Sequence, residues 1–253
     1  MWLAALLGMT TKFAEVTLAV AYRERNELGD FSGGPMYYIK NGLGQAWLAK
    51  IFALFAAFAA FGIGCMVQTN SIASAVNNQF TTDHPVRQGM WGVFEVFVDT
   101  LMICSMTALV VITSGLWHST DLEGAPLTTE AFRIGLPGNI GAYIVTLGLV
   151  LFAFTTVIGW CYYGEKSAEY LVNSSKIIVP YRLLFVVLAF VGAIGGLSVV
   201  WTLADVLNAL MAVPNLIGVL ALGGVVGKLS KQFFADPDRL YQPEDYADIA
   251  RRK

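Results

Sequence analysis

The chain has 253 residues, of which 56% are hydrophobic and only 13% are charged, and its formal net charge is −2. Soluble domains carry about twice that charged fraction, so the composition indicates a polytopic α-helical membrane protein. A β-barrel would need short segments of alternating polarity, which the sequence lacks. The small net charge and the lack of a basic cluster argue against binding to nucleic acid.

Six apolar stretches approach the length of about 20 residues that a bilayer-spanning helix needs. In chain order they are Met1–Tyr22, Ala46–Asn77, Gly89–Trp117, Ile140–Tyr163, Ile177–Val200 and Leu203–Val226. Lys12 and Glu15 interrupt the first stretch, and their i, i+3 spacing predicts that they pair. Residues 1–230 are therefore predicted to form a transmembrane domain, and residues 231–253 a charged cytoplasmic tail.

The distribution of Lys and Arg predicts the orientation, because these residues concentrate in short cytoplasmic loops. The loop at 23–45 and the C-terminal tail carry half of the 16 Lys and Arg residues, so both are placed inside. Counting back from the tail puts the loop at 165–176 and the start of the third span, near Arg87, inside as well. The second span should then end outside, although only a few residues separate it from the third. Either the second stretch does not cross the membrane, or an odd number of spans is missing between Phe80 and Thr81.

The fourth span contains the most unusual polar residues of the chain. Thr155 and Thr156 lie in an apolar stretch that is expected at the depth of the bilayer's hydrocarbon core. Trp160 follows Thr156 at i+4 on the same helix face. Such hydroxyls either mark a ligand site or donate back to carbonyls of their own helix. The residues alone leave both readings open and favour the second.

Two further spans carry candidate polar residues. Glu95 and Asp99 share one face of the third span, and intramembrane acids are functional candidates. Asp99 is deeper in the span and is the better candidate for a structural or ion-coupling role. Gln68, in the later half of the second span, is expected to face a central cavity, although interhelical hydrogen bonding explains it equally well. No nucleophile–base set is present in the sequence, so neither an enzyme nor a cofactor is expected.

Several long motifs resemble one known family. They are GMTTKFAEVTLAVAYR (Gly8–Arg23), SGGPMYYIKNGLG (Ser32–Gly44), TTDHPVRQG (Thr81–Gly89), FVDTLMICSMTALVV (Phe97–Val111), TTVIGWCYYGEKSAEYL (Thr155–Leu171) and WTLADVLNALMAVPNLIGVL (Trp201–Leu220). With these motifs the chain resembles the sodium:alanine symporters, also described as the alanine or glycine:cation symporter family. The resemblance covers almost every residue up to about Ser230.

The resemblance implies a leucine-transporter-type fold of two inverted five-helix repeats, with a ligand site near the middle of the membrane. The six spans resemble helices two, three and seven to ten of that fold. The first helix is missing at the N-terminus, and helices four to six are missing between Phe80 and Thr81. The resemblance therefore implies a partial fold that is truncated at its start and carries an internal deletion.

The implied function is sodium-coupled symport of alanine or glycine by a multi-pass protein of the plasma membrane, in bacteria the inner membrane, with a cytoplasmic C-terminus. Na⁺ would be the coupling ion, and Thr155 and Thr156 would supply oxygens to it, since hard cations take oxygen ligands. Thr156, Trp160 and Gln68 would line the amino-acid site, with Trp160 limiting side-chain size. Because half of the implied site is missing, an inert membrane-integral fragment is the alternative.

Overall fold

The computed structural model describes residues 1–61, 84–119, 122, 124–194 and 198–237, and these are almost entirely helical. The helices are α1 (Trp2–Ala21), α2 (Pro35–Leu43), α3 (Ala46–Ala59), α4 (Pro85–Val96), α5 (Cys104–Ser114), α6 (Leu116–Ser119), α7 (Gly124–Gly135), α8 (Ile140–Val172), α9 (Ile178–Ile194), α10 (Ser198–Ala221) and α11 (Gly223–Ala235). A π-helical segment, Phe97–Ile103, joins α4 to α5, and a 3₁₀ turn, Ser175–Ile177, precedes α9.

Five helical segments are long and apolar enough to cross a membrane: Trp2–Ala21, Pro85–Ser114, Ile140–Val172, Ser175–Gly192 and Thr202–Ala221. They correspond to five of the six predicted spans, and the all-α membrane class is confirmed. The remaining predicted span, Ala46–Asn77, begins as the 14-residue helix α3. Most of its later half, including Gln68, lies outside the described residues.

Helix α8 continues nine residues beyond the predicted end of the fourth span at Tyr163. The charged residues that follow Tyr163 were expected to mark the membrane exit. Instead Glu165, Lys166 and Glu169 are buried, because each side chain has an oppositely charged partner. The helix ends at Asn173, whose left-handed backbone (φ 55°) forms the C-cap.

A small hairpin follows α1, with strands β1 (Glu24–Arg25) and β2 (Phe31–Ser32). Its Glu27 carboxylate accepts a hydrogen bond of 3.1 Å from the backbone amide of Ser175, between α8 and α9. At the same end of the chain's helices, Arg87 donates a 3.1 Å hydrogen bond to the carbonyl of Pro237, after α11. The first contact joins the loop at 23–45 to the loop at 165–176, and the second joins the start of the third span to the tail.

The helix pairs follow a simple scheme: α1 packs along α4, and α3 packs between α8 and α10. Small residues permit the first contact, since a Cβ atom added at Gly89 would meet the Thr17 hydroxyl at 2.3 Å. Tyr38 of α2 is fully buried. Its hydroxyl donates a hydrogen bond to Asn215 of α10, across the middle of the core.

Candidate functional site

The solvent exposure of the side chains of helix α8 changes at Thr156. Before this residue its side chains are mostly exposed, and Tyr143 retains 72% of its accessible surface. Thr156 and Trp160 are each 3% exposed, and Gly159 between them is buried. The i, i+4 pair that the sequence identified is therefore where this helix turns a polar and aromatic face into the protein.

Trp160 lies in an apolar pocket formed by three other helices. Its cluster contains Ala57 and Ala59 of α3 with the C-cap residue Ala60, Tyr181 and Phe185 of α9, and partly buried Leu207 and Met211 of α10. The three alanines offer little side-chain volume, so the indole ring occupies the space next to α3. The rings of Trp160 and Tyr163 form a T-shaped contact with centroids 6.0 Å apart.

The two polar groups of this face differ in their hydrogen bonding. The indole nitrogen of Trp160 is buried and has no hydrogen-bond partner within the described part of the chain. A buried donor without a partner is costly, and native proteins usually satisfy it with protein, water or ligand. The hydroxyl of Thr155 instead donates to the carbonyls of Leu151 and Phe152, at 3.1 and 3.0 Å.

The backbone bonds of Thr155 match the structural reading of membrane threonines. A hydroxyl that donates its hydrogen keeps its oxygen lone pairs, so the same residue can still offer an oxygen to a cation. Thr155 is half-buried and its neighbour Thr156 is buried, so the two oxygens lie at the boundary of the enclosed face. The geometry is compatible with both roles.

The other two candidates are not brought to this face. Gln68 lies outside the described residues. Asp99 is exposed and lies in the π-helical segment, which packs against α1, α4 and α5. Single π-helical turns often occur at functional sites, but this one is not among the helices that surround Trp160.

Helix α1 departs from the predicted pairing of its two charges. Lys12 is directed towards Gly92 of α4, where an added Cβ would meet its Cγ at 3.2 Å. Within the described residues Glu15 forms no ion pair with Lys12. The i, i+3 prediction was wrong, because the Lys12 side chain packs against Gly92 of α4 instead.

The sequence did not predict the role of Tyr181, which belongs to the hydrophobic cluster around Trp160. Tyr181 is buried and donates a 2.8 Å hydrogen bond to the carbonyl of Ala57. Its hydroxyl lies so close to Gly164 that an added Cβ there would be 2.0 Å away. The one sequence signal for this contact is a tyrosine close to the start of a membrane helix, which is also typical of the lipid interface.

These features define a polytopic α-helical membrane protein with an enclosed polar and aromatic face in the middle of one span. The family model described as "Sodium:alanine symporter family" matches the chain in two segments, residues 1–83 and 80–247. The chain belongs to this family of sodium-coupled amino-acid symporters. Its members are transporters rather than enzymes.

Named relatives agree with this assignment. The chain is 35% identical over 347 residues to the "Sodium/alanine symporter AgcS" of Methanococcus maripaludis, covering 92% of this chain and 76% of the relative. It is 33% identical over 346 residues, with the same coverage, to an "Uncharacterized transporter" of Haemophilus influenzae. The "Probable sodium/glutamine symporter GlnT" of Bacillus subtilis is 24% identical over 362 residues, covering 99% of this chain and 74% of the relative.

The alignment to AgcS is much longer than the part of this chain that it contains. Ninety-two per cent of 253 residues is about 233, so about 114 of the 347 aligned positions lie opposite gaps in this chain. The two family-model segments meet at residues 80–83. That junction includes the position between Phe80 and Thr81 at which the sequence analysis predicts missing spans.

Proposed function

We propose that this chain derives from a sodium-coupled symporter of a small neutral amino acid, alanine or glycine, and that α8 carries one wall of its substrate site. The observation that carries the proposal is the buried Trp160 indole nitrogen without a partner in the described residues, one turn from the buried Thr156. A substrate carboxylate or carbonyl oxygen would accept a hydrogen bond from this donor. The indole ring would limit the space for the substrate side chain.

Thr155 and Thr156 are the proposed oxygen ligands of Na⁺ beside that wall. Adjacent hydroxyl oxygens suit a hard cation, and both residues lie where α8 passes from an exposed to an enclosed surface. Gln68, which follows α3 in the sequence, is a proposed substrate contact. Asp99 is a proposed ion-coupling residue. The proposed location is a plasma membrane, the bacterial inner membrane, with the tail in the cytoplasm.

Helix pairing supports a leucine-transporter-type arrangement. In the proposed correspondence α1 is helix two and α4–α5 is helix seven, while α3 is helix three and α8 is helix eight. A pseudo-two-fold axis relates helices five apart in two inverted repeats of five. The observed contacts of α1 with α4 and of α3 with α8 join such related helices.

The length of the alignment gap supports an internal deletion of about three helices. About 114 missing positions would hold three spans of about 20 residues with their loops. The second candidate function, an inert membrane-integral fragment, follows from this deletion. It retains the α8 wall and lacks the opposite wall of the site.

Alanine binding and uptake by the full 253-residue chain distinguish the two candidates. Purified protein in vesicles should take up labelled alanine under an inward Na⁺ gradient, and Thr156→Val should abolish this uptake. Trp160→Ala should increase competition by larger amino acids such as glutamine relative to alanine. Trp91→Ala is the matched control, because Trp91 is 62% exposed on α4.

The outcomes separate cleanly. Uptake that depends on Na⁺ and on Thr156 supports symport by this chain. Binding of alanine without uptake, still sensitive to Trp160→Ala, supports an inactive fragment that retains the site wall. If neither binding nor uptake occurs, or if Trp160→Ala and Trp91→Ala behave alike, the site assignment is wrong.

A further inference from the structure

A side chain from another helix closes the end of α3. The helix ends at Ala59, and the amide of Phe61 donates to the carbonyl of Phe58 at 3.2 Å. This bond reaches back three residues and not four, as in a 3₁₀ turn. The Ala57 carbonyl, four residues before Phe61, accepts a 2.8 Å hydrogen bond from the hydroxyl of Tyr181 on α9. Tyr181 therefore serves one of the carbonyls for which a helix end has no partner of its own.

Aromatic packing fixes the direction of this hydroxyl. The ring of Tyr181 stacks on that of Phe61, with centroids 4.9 Å apart and planes inclined by 29°. Phe185, one turn further along α9, lies against both rings, with centroid distances of 5.9 Å to Phe61 and 6.4 Å to Tyr181. Tyr181 retains 7% of its accessible surface. The close packing leaves the ring little room to rotate, so the hydroxyl stays at the end of α3.

Helix α8 meets the same hydroxyl at Gly164. A Cβ atom added at Gly164 would overlap the Tyr181 hydroxyl and would lie 2.7 Å from the Cβ of Ala60. Gly164 follows Trp160 at i+4, on the same face of α8. The hydrogen-bonded end of α3 therefore contacts α8 one helical turn from the indole ring. Trp160 and Tyr181 also belong to one hydrophobic cluster.

The indole ring of Trp160 depends on packing for its position. Its nitrogen forms no hydrogen bond within the described part of the chain, so no polar contact there holds the ring. Its apolar neighbours hold it instead, and they include Ala57 and Ala59 at the end of α3. A shift of that helix end would move the surface against which the ring rests, and with it the direction of the buried N–H group.

We infer that Tyr181 is a positioning residue for the substrate wall on α8, because its hydroxyl holds the end of α3 and the end of α3 holds Trp160. Loss of the hydroxyl alone removes a donor from the Ala57 carbonyl in apolar surroundings, where an unpaired carbonyl is costly. The helix end then rearranges beside the indole ring. The inference rests on the proposed function for the role of Trp160, and on the contacts of Tyr181 for its own role.

Fluorine NMR of the full chain tests the inference. The six tryptophans are labelled as 5-fluorotryptophan in protein held in lipid nanodiscs, and the Trp160 signal is assigned by its loss in Trp160→Phe. Tyr181→Phe keeps the ring and removes the hydroxyl. Tyr143→Phe is the matched control, since it makes the same change at a residue of α8 that is 72% exposed. The signal of Trp91, which is 62% exposed on α4, reports on the overall fold.

The ligand-free protein gives the first result. We expect Tyr181→Phe to shift the Trp160 signal and to leave the Trp91 signal in place. Tyr143→Phe should change neither signal. A residue that only stabilised the fold would not act on one tryptophan in this way.

Gly164→Ala tests the same contact if Tyr181→Phe fails to fold. Its methyl group displaces the Tyr181 hydroxyl, so we expect it to shift the Trp160 signal as well. Adding Tyr181→Phe to Gly164→Ala should cause little further shift, because the two changes act on one contact. Gly148→Ala, with open space at its Cβ position, should cause no shift.

The same samples are then titrated with alanine, and the shift of the Trp160 signal gives the affinity. Tyr181→Phe should weaken alanine binding about two- to tenfold, which is the usual effect of losing one net hydrogen bond. Glutamine should compete better relative to alanine than it does in the wild type. Tyr143→Phe should bind alanine as the wild type does.

Three results would overturn the inference: a Trp160 signal that moves in neither Tyr181→Phe nor Gly164→Ala, a Trp91 signal that moves as far as the Trp160 signal, or equal alanine affinity in Tyr181→Phe and the wild type. The second would show that the hydroxyl stabilises the whole fold. Failure of the proposed function looks different. There alanine does not shift the Trp160 signal of the wild type, while Tyr181→Phe still moves that signal without ligand.

Discussion

The side-chain amide of Asn26 donates a hydrogen bond of 3.1 Å to the carboxylate of Glu169, which lies 143 residues later in the chain. The same carboxylate accepts a 2.9 Å bond from the buried ammonium of Lys166 and a bond from the Ser175 hydroxyl. Asn26 also organises its own hairpin, since its side-chain oxygen accepts from the amides of Leu28 and Asp30. Glu169 thus joins the hairpin, the end of α8 and the start of α9.

The first prediction concerns the charge of Glu169. Glu169→Gln leaves the Lys166 ammonium, which is 7% exposed, without its counter-charge. Breaking a buried pair by neutralising one partner costs about 3–5 kcal/mol. We therefore expect a loss of that order in the free energy of unfolding, measured by denaturant titration in detergent micelles.

Glu24→Gln is the matched control for this prediction. Glu24 pairs with Lys40 at 3.2 Å, but both side chains are about 40% exposed. An exposed pair contributes about 1 kcal/mol at most. Equal losses for the two variants would show that burial does not strengthen the Glu169 network.

The second prediction concerns the ion pair between α8 and α9. Arg182 donates from Nε and Nη2 to the two oxygens of Glu165, at 2.5 and 2.9 Å. Glu165 is 2% exposed, whereas Arg182 is 58% exposed. Removing the guanidinium with Arg182→Met leaves the carboxylate buried and unpaired, so we expect a loss of about 2–3 kcal/mol, below that of a fully buried pair.

A double-mutant cycle checks this assignment. Glu165→Gln in the Arg182→Met background removes the stranded charge, so the double variant should be more stable than Arg182→Met alone. The cycle is measured by the same denaturant titration. Additive losses in the two single variants would mean that the pair contributes no coupling energy.

The sequence predicted the spans well because apolar length is a direct requirement of the bilayer. It did not predict the end of α8, because the charged residues after Tyr163 do not reveal their distant partners. Glu165 accepts hydrogen bonds from Arg182, and Glu169 accepts one from Asn26. The π-helical segment Phe97–Ile103 also had no local signal. Partners far apart in the chain decide such features.

In the candidate site, too, the sequence predicted what local helix geometry determines and did not predict the contacts between helices. Thr156 and Trp160 were found from the i, i+4 rule, which depends only on helix geometry. The missed residue Tyr181 requires knowledge of which helices pack together. The pairing predicted for Lys12 and Glu15 failed for the same reason, because Lys12 packs against Gly92 of the neighbouring helix α4.

The third prediction is a pH dependence at Tyr37. Burial raises the pKa of the Tyr37 hydroxyl to about 12, and the nearby carboxylates of Glu169 and Glu24 add to this rise. The unfolded chain has a tyrosine pKa of about 10. Because the folded pKa is higher, the stabilisation is complete below pH ~10 and is lost as the pH rises towards the folded pKa.

Thermal unfolding measured across this alkaline range, with tyrosinate absorbance as the site-specific signal, tests the prediction. Tyr37→Phe should show a smaller fall in unfolding midpoint than the wild type, because it has no proton to lose. Tyr143→Phe is the control, since Tyr143 is 72% exposed. A Tyr37→Phe profile parallel to that of the wild type would contradict the assignment.

The fourth prediction concerns the contact between Gly164 and Tyr181. An added Cβ at Gly164 would lie 2.0 Å from the Tyr181 hydroxyl and 2.7 Å from the Ala60 side chain. Gly164→Ala must therefore displace a tyrosine whose hydroxyl is bonded to the Ala57 carbonyl. Overpacking of this kind costs about 1–3 kcal/mol.

On the same helix, Gly148 has open space around its Cβ position, so Gly148→Ala should gain about 0.5–1 kcal/mol from helix propensity. We expect the unfolding midpoint to fall for Gly164→Ala and to rise for Gly148→Ala. Partial recovery of Gly164→Ala by Tyr181→Phe would identify the hydroxyl as the obstructing group. A stabilising Gly164→Ala would refute the contact.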